Sequence, residues 1–333
     1  MGELAFRKVQ YGREVTRGTA VVATKMWPGV ITVPVDRQPV FNQLTTGRRA
    51  RAQAGTINQL LVDGFTLQME QGVFQVLPFL MSMLLKGGVT ATETTASQAD
   101  YAWDFTPSLT AANAQNAFTV EFGDDTQAYE IEYCMARRLT IAGTLGENAG
   151  VSLEAECFGR QITATTFTGA LAPLPYEYMV ANMSKLYKDS TWATLGSTQL
   201  TSTLQDYSIE ILSGLHPKFL GDGQKTFSTH GEGFIDAMAT FTFEGNATAD
   251  AIWDDFQAGT KRALQLQVNG AQIGSGTTYQ LKVNMFGQFE SVIPLNSEKN
   301  GNNLHAAVFH ILDDNAATPH SLGVGVTTNA NTV

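Results

Sequence analysis

The sequence predicts a mainly β protein made of two tandem antiparallel β-sandwich or barrel domains, each with one packed α-helix. Three observations carry this. Apolar and polar residues alternate through most of the patterned stretches, which is the period of a half-buried strand. Only two stretches have a helical period. A strand–helix–strand unit also occurs twice. Its clearer copy is Thr240-Phe241-Thr242-Phe243-Glu244, then a helix over 249–257, then a strand over 263–268. Thr248 is placed as N-cap, Asp250 lies in the first turn, and Ile252, Trp253 and Phe256 share one face. Gly259 stands where a glycine stops a helix.

Taken in order, residues 1–60 read as an N-terminal basic arm and loops belonging to the first domain, with short strands at 20–23 and 30–35. The first domain proper spans 61–167. Thr66-Leu67-Gln68-Met69-Glu70 repeats the pattern of the later strand, and a helix over 76–86 follows, with Pro78 in its first turn. Leu80, Met81, Leu84 and Gly87 match Ile252, Trp253, Phe256 and Gly259 at one offset (252 − 80 = 172). Residues 89–117 form a long insert without a second-copy counterpart, read as a projecting loop or hairpin in which Tyr101, Trp103 and Phe105 alternate. Strands over 118–122, 129–143 and 153–157 complete the domain. Glu147, Gly150, Leu153, Ala155 and Phe158 match Glu298, Gly301, Leu304, Ala306 and Phe309, again at one offset (298 − 147 = 151). A linker at 168–176, marked by Pro173 and Pro175, leads to a second domain over 177–314 with strands at 203–212, 233–243, 278–294 and 303–312. The Gly/Thr/Asn-rich tail over 315–333 is expected to be flexible or bound to a neighbour.

A length of 333 residues fits two domains of roughly 150 each. No run approaches the ~18 apolar residues of a membrane span, so no membrane partner is expected. The first residues lack the apolar core of a signal peptide, which points to synthesis in a cytoplasm, where Cys134 and Cys157 are expected as buried free thiols. The net charge of −10 is unevenly divided. Residues 1–51 hold nine Lys/Arg against three acids (9 − 3 = +6), leaving −16 on the rest. This split favours attraction to nucleic acid or to another copy of the chain.

Catalytic chemistry finds no support. His216, His230, His305, His310 and His320 show no metal-ligand spacing, and the acidic pairs Asp124-Asp125, Asp254-Asp255 and Asp313-Asp314 lack that of a calcium loop. There is no nucleophile elbow or phosphate loop, and Gly270–Gly276 reads as a hairpin turn. Glu130, Glu132, Glu154 and Glu156 lie on two strands that, if paired, would gather four carboxylates on one face. A solvated acidic face is the expected use.

The tandem sandwiches, the basic first segment and the long insert resemble a bacteriophage major tail tube protein of the long, non-contractile type. The stretches Tyr176-Glu177-Tyr178-Met179-Val180-Ala181-Asn182, Gly214-Leu215-His216-Pro217-Lys218-Phe219, Ser228-Thr229-His230-Gly231-Glu232-Gly233 and Phe243-Glu244-Gly245-Asn246 are similar to such sequences. The resemblance implies a structural virion protein without enzymatic activity, cofactor or metal, made in the host cytoplasm. It implies rings stacked around a tape-measure protein, with terminator and baseplate proteins at the ends and double-stranded DNA passing through without tight binding. Many members carry one tube domain and form hexamers. Two domains per chain lead to the expectation of a trimeric, pseudo-sixfold ring. Glu130, Glu132, Glu154, Glu156, Asp206 and Glu210 are the expected lumen-lining residues, and Arg7, Lys8, Arg13, Arg17, Arg48, Arg49 and Arg51 the expected contacts between rings. The alternative is a baseplate or adhesion β-sandwich binding module, for which Trp103 or Trp192 would begin an exposed aromatic cluster.

Overall fold

A computed structural model describes residues 6–41, 49, 55–169, 171–173 and 175–333. The first half contains β1 (Lys8–Arg13), β2 (Lys25–Trp27), β3 (Val30–Thr32), β4 (Val62–Met69), α1 (Leu77–Leu84), β5 (Thr92–Glu93), β6 (Tyr101–Asp104), β7 (Phe118–Gly123), β8 (Ala128–Thr144), β9 (Ser152–Gly159) and β10 (Ile162–Thr165). The second contains β11 (Ser184–Asp189), β12 (Leu204–Leu212), β13 (His216–Lys218), β14 (Thr229–Gly231), β15 (Asp236–Glu244), α2 (Ala247–Gln257), β16 (Arg262–Gln272), β17 (Thr278–Lys299), β18 (Asn302–Ile311) and β19 (Leu322–Thr328). Every strand pairing is antiparallel. The class is mainly β, two tandem sandwiches with one helix packed in each.

The main elements of the two halves repeat in the same order. In each, a long strand runs through both layers. The first part of β8 pairs with β7 and β10 in the outer layer, and its second part pairs with β9 in the inner one. β17 likewise pairs first with β16 and β19, then with β18. β8 changes layer at Tyr133, whose φ of 56 lies in the left-handed region that side chains rarely adopt. Between the layers, Tyr11 stacks on Phe79 of α1 at 3.9 Å, and Phe118 meets Phe79 edge-on at 4.7 Å. α2 starts two residues earlier than the sequence pattern suggests. Asn246, not Thr248, is its N-cap, accepting from the backbone N–H of Thr248 and Ala249. Gly259 ends it with φ +61 and an N–H bonded to Phe256 O at 3.0 Å.

Four expectations need correction. The basic arm is not an arm: Lys8–Arg13 is a strand held between β2 and β7, with Val9 and Tyr11 buried. The predicted strand at 20–23 is irregular chain leading into β2. The insert does not project. β5 and β6 form a hairpin, Trp103 and Phe105 are buried, and β6 pairs with β19 of the second half. Nor is the tail flexible over its strand, since Leu322, Val324 and Val326 are buried and β19 lies between β17 and β6. Alternation was present there, but Gly323 and Gly325 between the buried residues dilute it.

The repeat alignment also slips by one residue in its later part. Ala155 pairs with Leu67, and the counterpart of Leu67, Phe241, pairs with Ala307. The offset is therefore 307 − 155 = 152, not 151. The difference matters because a one-residue slip exchanges the faces of a strand. Ala155 is buried, whereas Ala306 is only half-buried on the polar face.

Candidate assembly edges and the acidic sheet face

The inner layers of the two halves are one sheet. β12 pairs with β15 on one side and, from Asp206 to Leu212, with Thr144 to Arg138 of β8 on the other. The inner order is therefore β3–β4–β9–β8–β12–β15–β18–β17. Tyr207 lies over Gly143 at this junction, and a Cβ on Gly143 would sit 2.6 Å from the phenol oxygen. That phenol bonds Ser184 Oγ at 2.8 Å, and burial pushes its pKa up to about 12.

Among the described residues, both ends of the sheet are open. Among the described residues, β3 pairs only with β4, and β17 from Phe289 onward pairs only with β18. β3 is the counterpart of β12, because each precedes and pairs with the strand that leads into the helix. β12 has found a partner in β8, the counterpart of β17. The edge of β17 carries Pro294 and exposed Ile293 and Leu295, and its register against β18 breaks twice. Proline and bulges are the usual guards of a strand edge.

The outward face of this sheet holds four of the six predicted lumen residues. Leu153, Ala155 and Cys157 point to the core, which turns Glu154 and Glu156 outward, and Ile209 and Ile211 do the same for Asp206 and Glu210. Glu154 and Glu210 flank Thr140 across β8. Arg138, which sequence reasoning missed, bridges Glu156 at 2.9 Å and Glu210 at 3.6 Å and so joins the two halves. Its signal was the Arg137-Arg138 doublet, the two basic residues of the strand. Glu130 and Glu132 do not join this group. They precede the bend in β8 and face outward from the other layer, Glu130 opposite Glu121 and Thr163, and Glu132 3.7 Å from Arg160. Burial raises the pKa of both, a rise that Glu121 reinforces at Glu130 and Arg160 opposes at Glu132.

Among the described residues, the basic candidates make no single patch. Arg7, Arg13, Arg17 and Arg49 are exposed, and Lys8 lies over the Phe167 ring at 4.2 Å. Arg7 and Arg13 flank the ends of β1, about 20 Å apart by strand geometry. Arg17 donates to Gln115 O at 2.8 Å. Arg48 and Arg51 lie outside the described residues.

Two further contacts tie the halves together. In the insert, the Asp100 carboxylate accepts from Thr277 N and Oγ1, each at 2.9 Å, and Trp103 Nε1 donates to Ala330 O at 3.0 Å. The chain over 213–235, which carries β13 and β14, reaches back over the first half. Its Phe227 is buried against Tyr133 and Phe158, at 4.8 and 5.6 Å. Arg160 lies 5.0 Å from the Tyr133 ring and donates to Phe227 O at 3.1 Å and Gly18 O at 3.0 Å. Leu60 N donates to Lys225 O at 2.9 Å, so this chain extends as far as the root of β4.

Trp192 stacks on His320 at 4.9 Å, so with Trp103 buried the two tryptophans form no shared aromatic surface. Cys134 and Cys157 are buried free thiols. Among the described residues, no three His, Cys, Asp or Glu side chains are grouped to hold a metal, and no helix is long and apolar enough to cross a membrane. No protein-family model matches the chain, and no curated protein matches it either.

Proposed function

We propose that this chain is a self-assembling structural protein whose copies join head to tail through the edges of the inner sheet, close into a ring, and stack as a hollow tube of the bacteriophage tail type. The observation that carries this reading is the β8–β12 junction. It joins two repeats inside one chain, and the same two edges, β17 and β3, are left open at the ends. A heterologous contact between β17 of one chain and β3–β4 of the next repeats that junction, and such contacts close into a ring when the rotation allows. Three chains give six repeats. With eight inner strands per chain (3 × 8 = 24), a tilted barrel measures roughly 45–50 Å between backbones, room enough for a DNA duplex.

In that ring the outward face of the inner sheet lines the bore. Glu154, Glu156, Asp206 and Glu210 then repel phosphates over roughly 8 Å at physiological salt, which keeps DNA from adhering to the wall. The tape-measure, terminator and baseplate partners follow from the resemblance alone. The test is native mass spectrometry with negative-stain microscopy of concentrated protein. Rings or tubes with three chains per ring support the reading, whereas single chains at every concentration overturn it.

A further inference from the structure

We infer that the chain over 213–235 is an acid-released clasp between the two halves, and that His230 is the group that lets go. The inference does not depend on the ring reading.

Four ties hold this chain to the first half. Ser213 N donates to Arg137 O at 2.8 Å, Leu60 N donates to Lys225 O at 2.9 Å, and Arg160 donates to Phe227 O and Ser228 O. The fourth is His230, whose Nδ1 lies 3.1 Å from the hydroxyl of Tyr133. The Tyr133 ring packs against buried Phe227, and Glu14 Oε1 fixes its backbone by accepting from its N–H at 2.7 Å. The phenol can donate to Nδ1 only while the imidazole is neutral. Protonation puts a hydrogen on that nitrogen and a positive charge on a half-buried ring.

The surroundings favour the neutral ring. Burial disfavours the charge most, and Arg17, Lys218 and His216 add to it, against which Glu232 acts. Lys218 and His216 sit on β13, the strand paired with the one that carries His230. His230 also lines a cavity of about 830 Å³ that Asp236 and Asp313 share. Both acids are engaged there, Asp236 with His310 Nε2 and Asp313 with Asn315 N–H, each at 2.8 Å. Glu132 lies 3.7 Å from Arg160. The folded value of His230 therefore lies below the ordinary one. The closed form is at full strength above the ordinary value of about 6.5 and weakens as pH falls below it, because the open form takes up the proton first. Glu14 and Glu132, both raised by burial, act in the opposite sense and favour the closed form as pH falls.

The test is hydrogen exchange of the full chain read by mass spectrometry from about pH 8 to about pH 5, corrected for the intrinsic pH dependence of exchange. Peptides over 214–234, and the amide of Leu60, should exchange about fivefold faster at the acid end, with the rise centred near or below about pH 6.5, while β15 and β18 keep their rates. His230→Gln, polar but uncharged, should abolish the rise or reverse it through Glu14 and Glu132. His216→Gln, at the exposed neighbour, should retain it. The absence of any rise, a rise centred above about pH 7, or one that survives in His230→Gln overturns the inference. Should His230→Gln be open at every pH, His230→Phe restores the ring without the charge, and a rise that survives there overturns it equally.

Discussion

Gly143 shows how much a single position carries at the junction of the halves. Tyr207 crosses it so closely that any Cβ displaces the phenol from Ser184. Gly143→Val is expected to cost about 1–3 kcal/mol as an overpacking change, read as a lower urea midpoint, whereas Gly146→Ala faces open space and tests only its left-handed backbone. Asp255 offers a pH test. Its carboxylate, on the last turn of α2, is buried, and desolvation raises its pKa, but hydrogen bonds from Arg262 at 2.5 Å and Lys188 at 2.6 Å outweigh this and hold it below the usual range. A lowered folded value means the stabilisation is present above the unfolded value and is lost as pH falls through the folded one. Wild type should therefore lose stability below about pH 4 more steeply than Asp255→Asn, which should be weaker at neutral pH by on the order of 2 kcal/mol. At this scale the sequence told part of the story. Alternation turned Glu154, Glu156, Asp206 and Glu210 outward correctly, because parity along a strand is local. It could not separate them from Glu130 and Glu132, because nothing local marks Tyr133 as the place where β8 changes layer.

Whole elements were legible where their periodicity was dense. Both helices, and the strands with aromatic or branched residues on one face, stood out as a packed core requires. The elements that were missed had their pattern diluted. β19 alternates Leu322, Val324 and Val326 with glycine and threonine, and β1 sets Val9 and Tyr11 among basic residues. Both are nonetheless held on two sides. Removing residues 1–13 deletes a strand with two buried apolar side chains, Val9 and Tyr11, each contributing about 1.5–3 kcal/mol, and is expected to give insoluble or unfolded protein rather than folded subunits that fail to assemble. Ending the chain at residue 314 should do the same, with Trp103 fluorescence shifting to the red as its cover is lost. Circular dichroism and limited proteolysis would distinguish these outcomes from a stable, merely shortened fold.

At the scale of the molecule, the duplication was legible because spacing survives where identity does not. The continuity of one sheet across both halves was not, since the β8–β12 pairing joins residues about seventy positions apart by edges that alternation does not reveal. If the acidic face lines a bore, Glu154→Lys with Glu210→Lys should leave assembly intact and make tubes retain duplex DNA, more so as salt is lowered. Retention unchanged at low salt would remove this face from the wall. The pairing of β6 with β19 sets one more condition, on the order of events at the ribosome. Tyr101–Asp104 finds its partner in Gly325–Thr328, which lies 325 − 104 = 221 positions or more further along the chain. The insert of the first half thus waits, with Trp103 and Phe105 uncovered, until β19 has been made. Such long-range closure slows folding and leaves the growing chain dependent on protection from aggregation. The first half is therefore unfinished until the second half has been made, so the two repeats mature together and not one after the other.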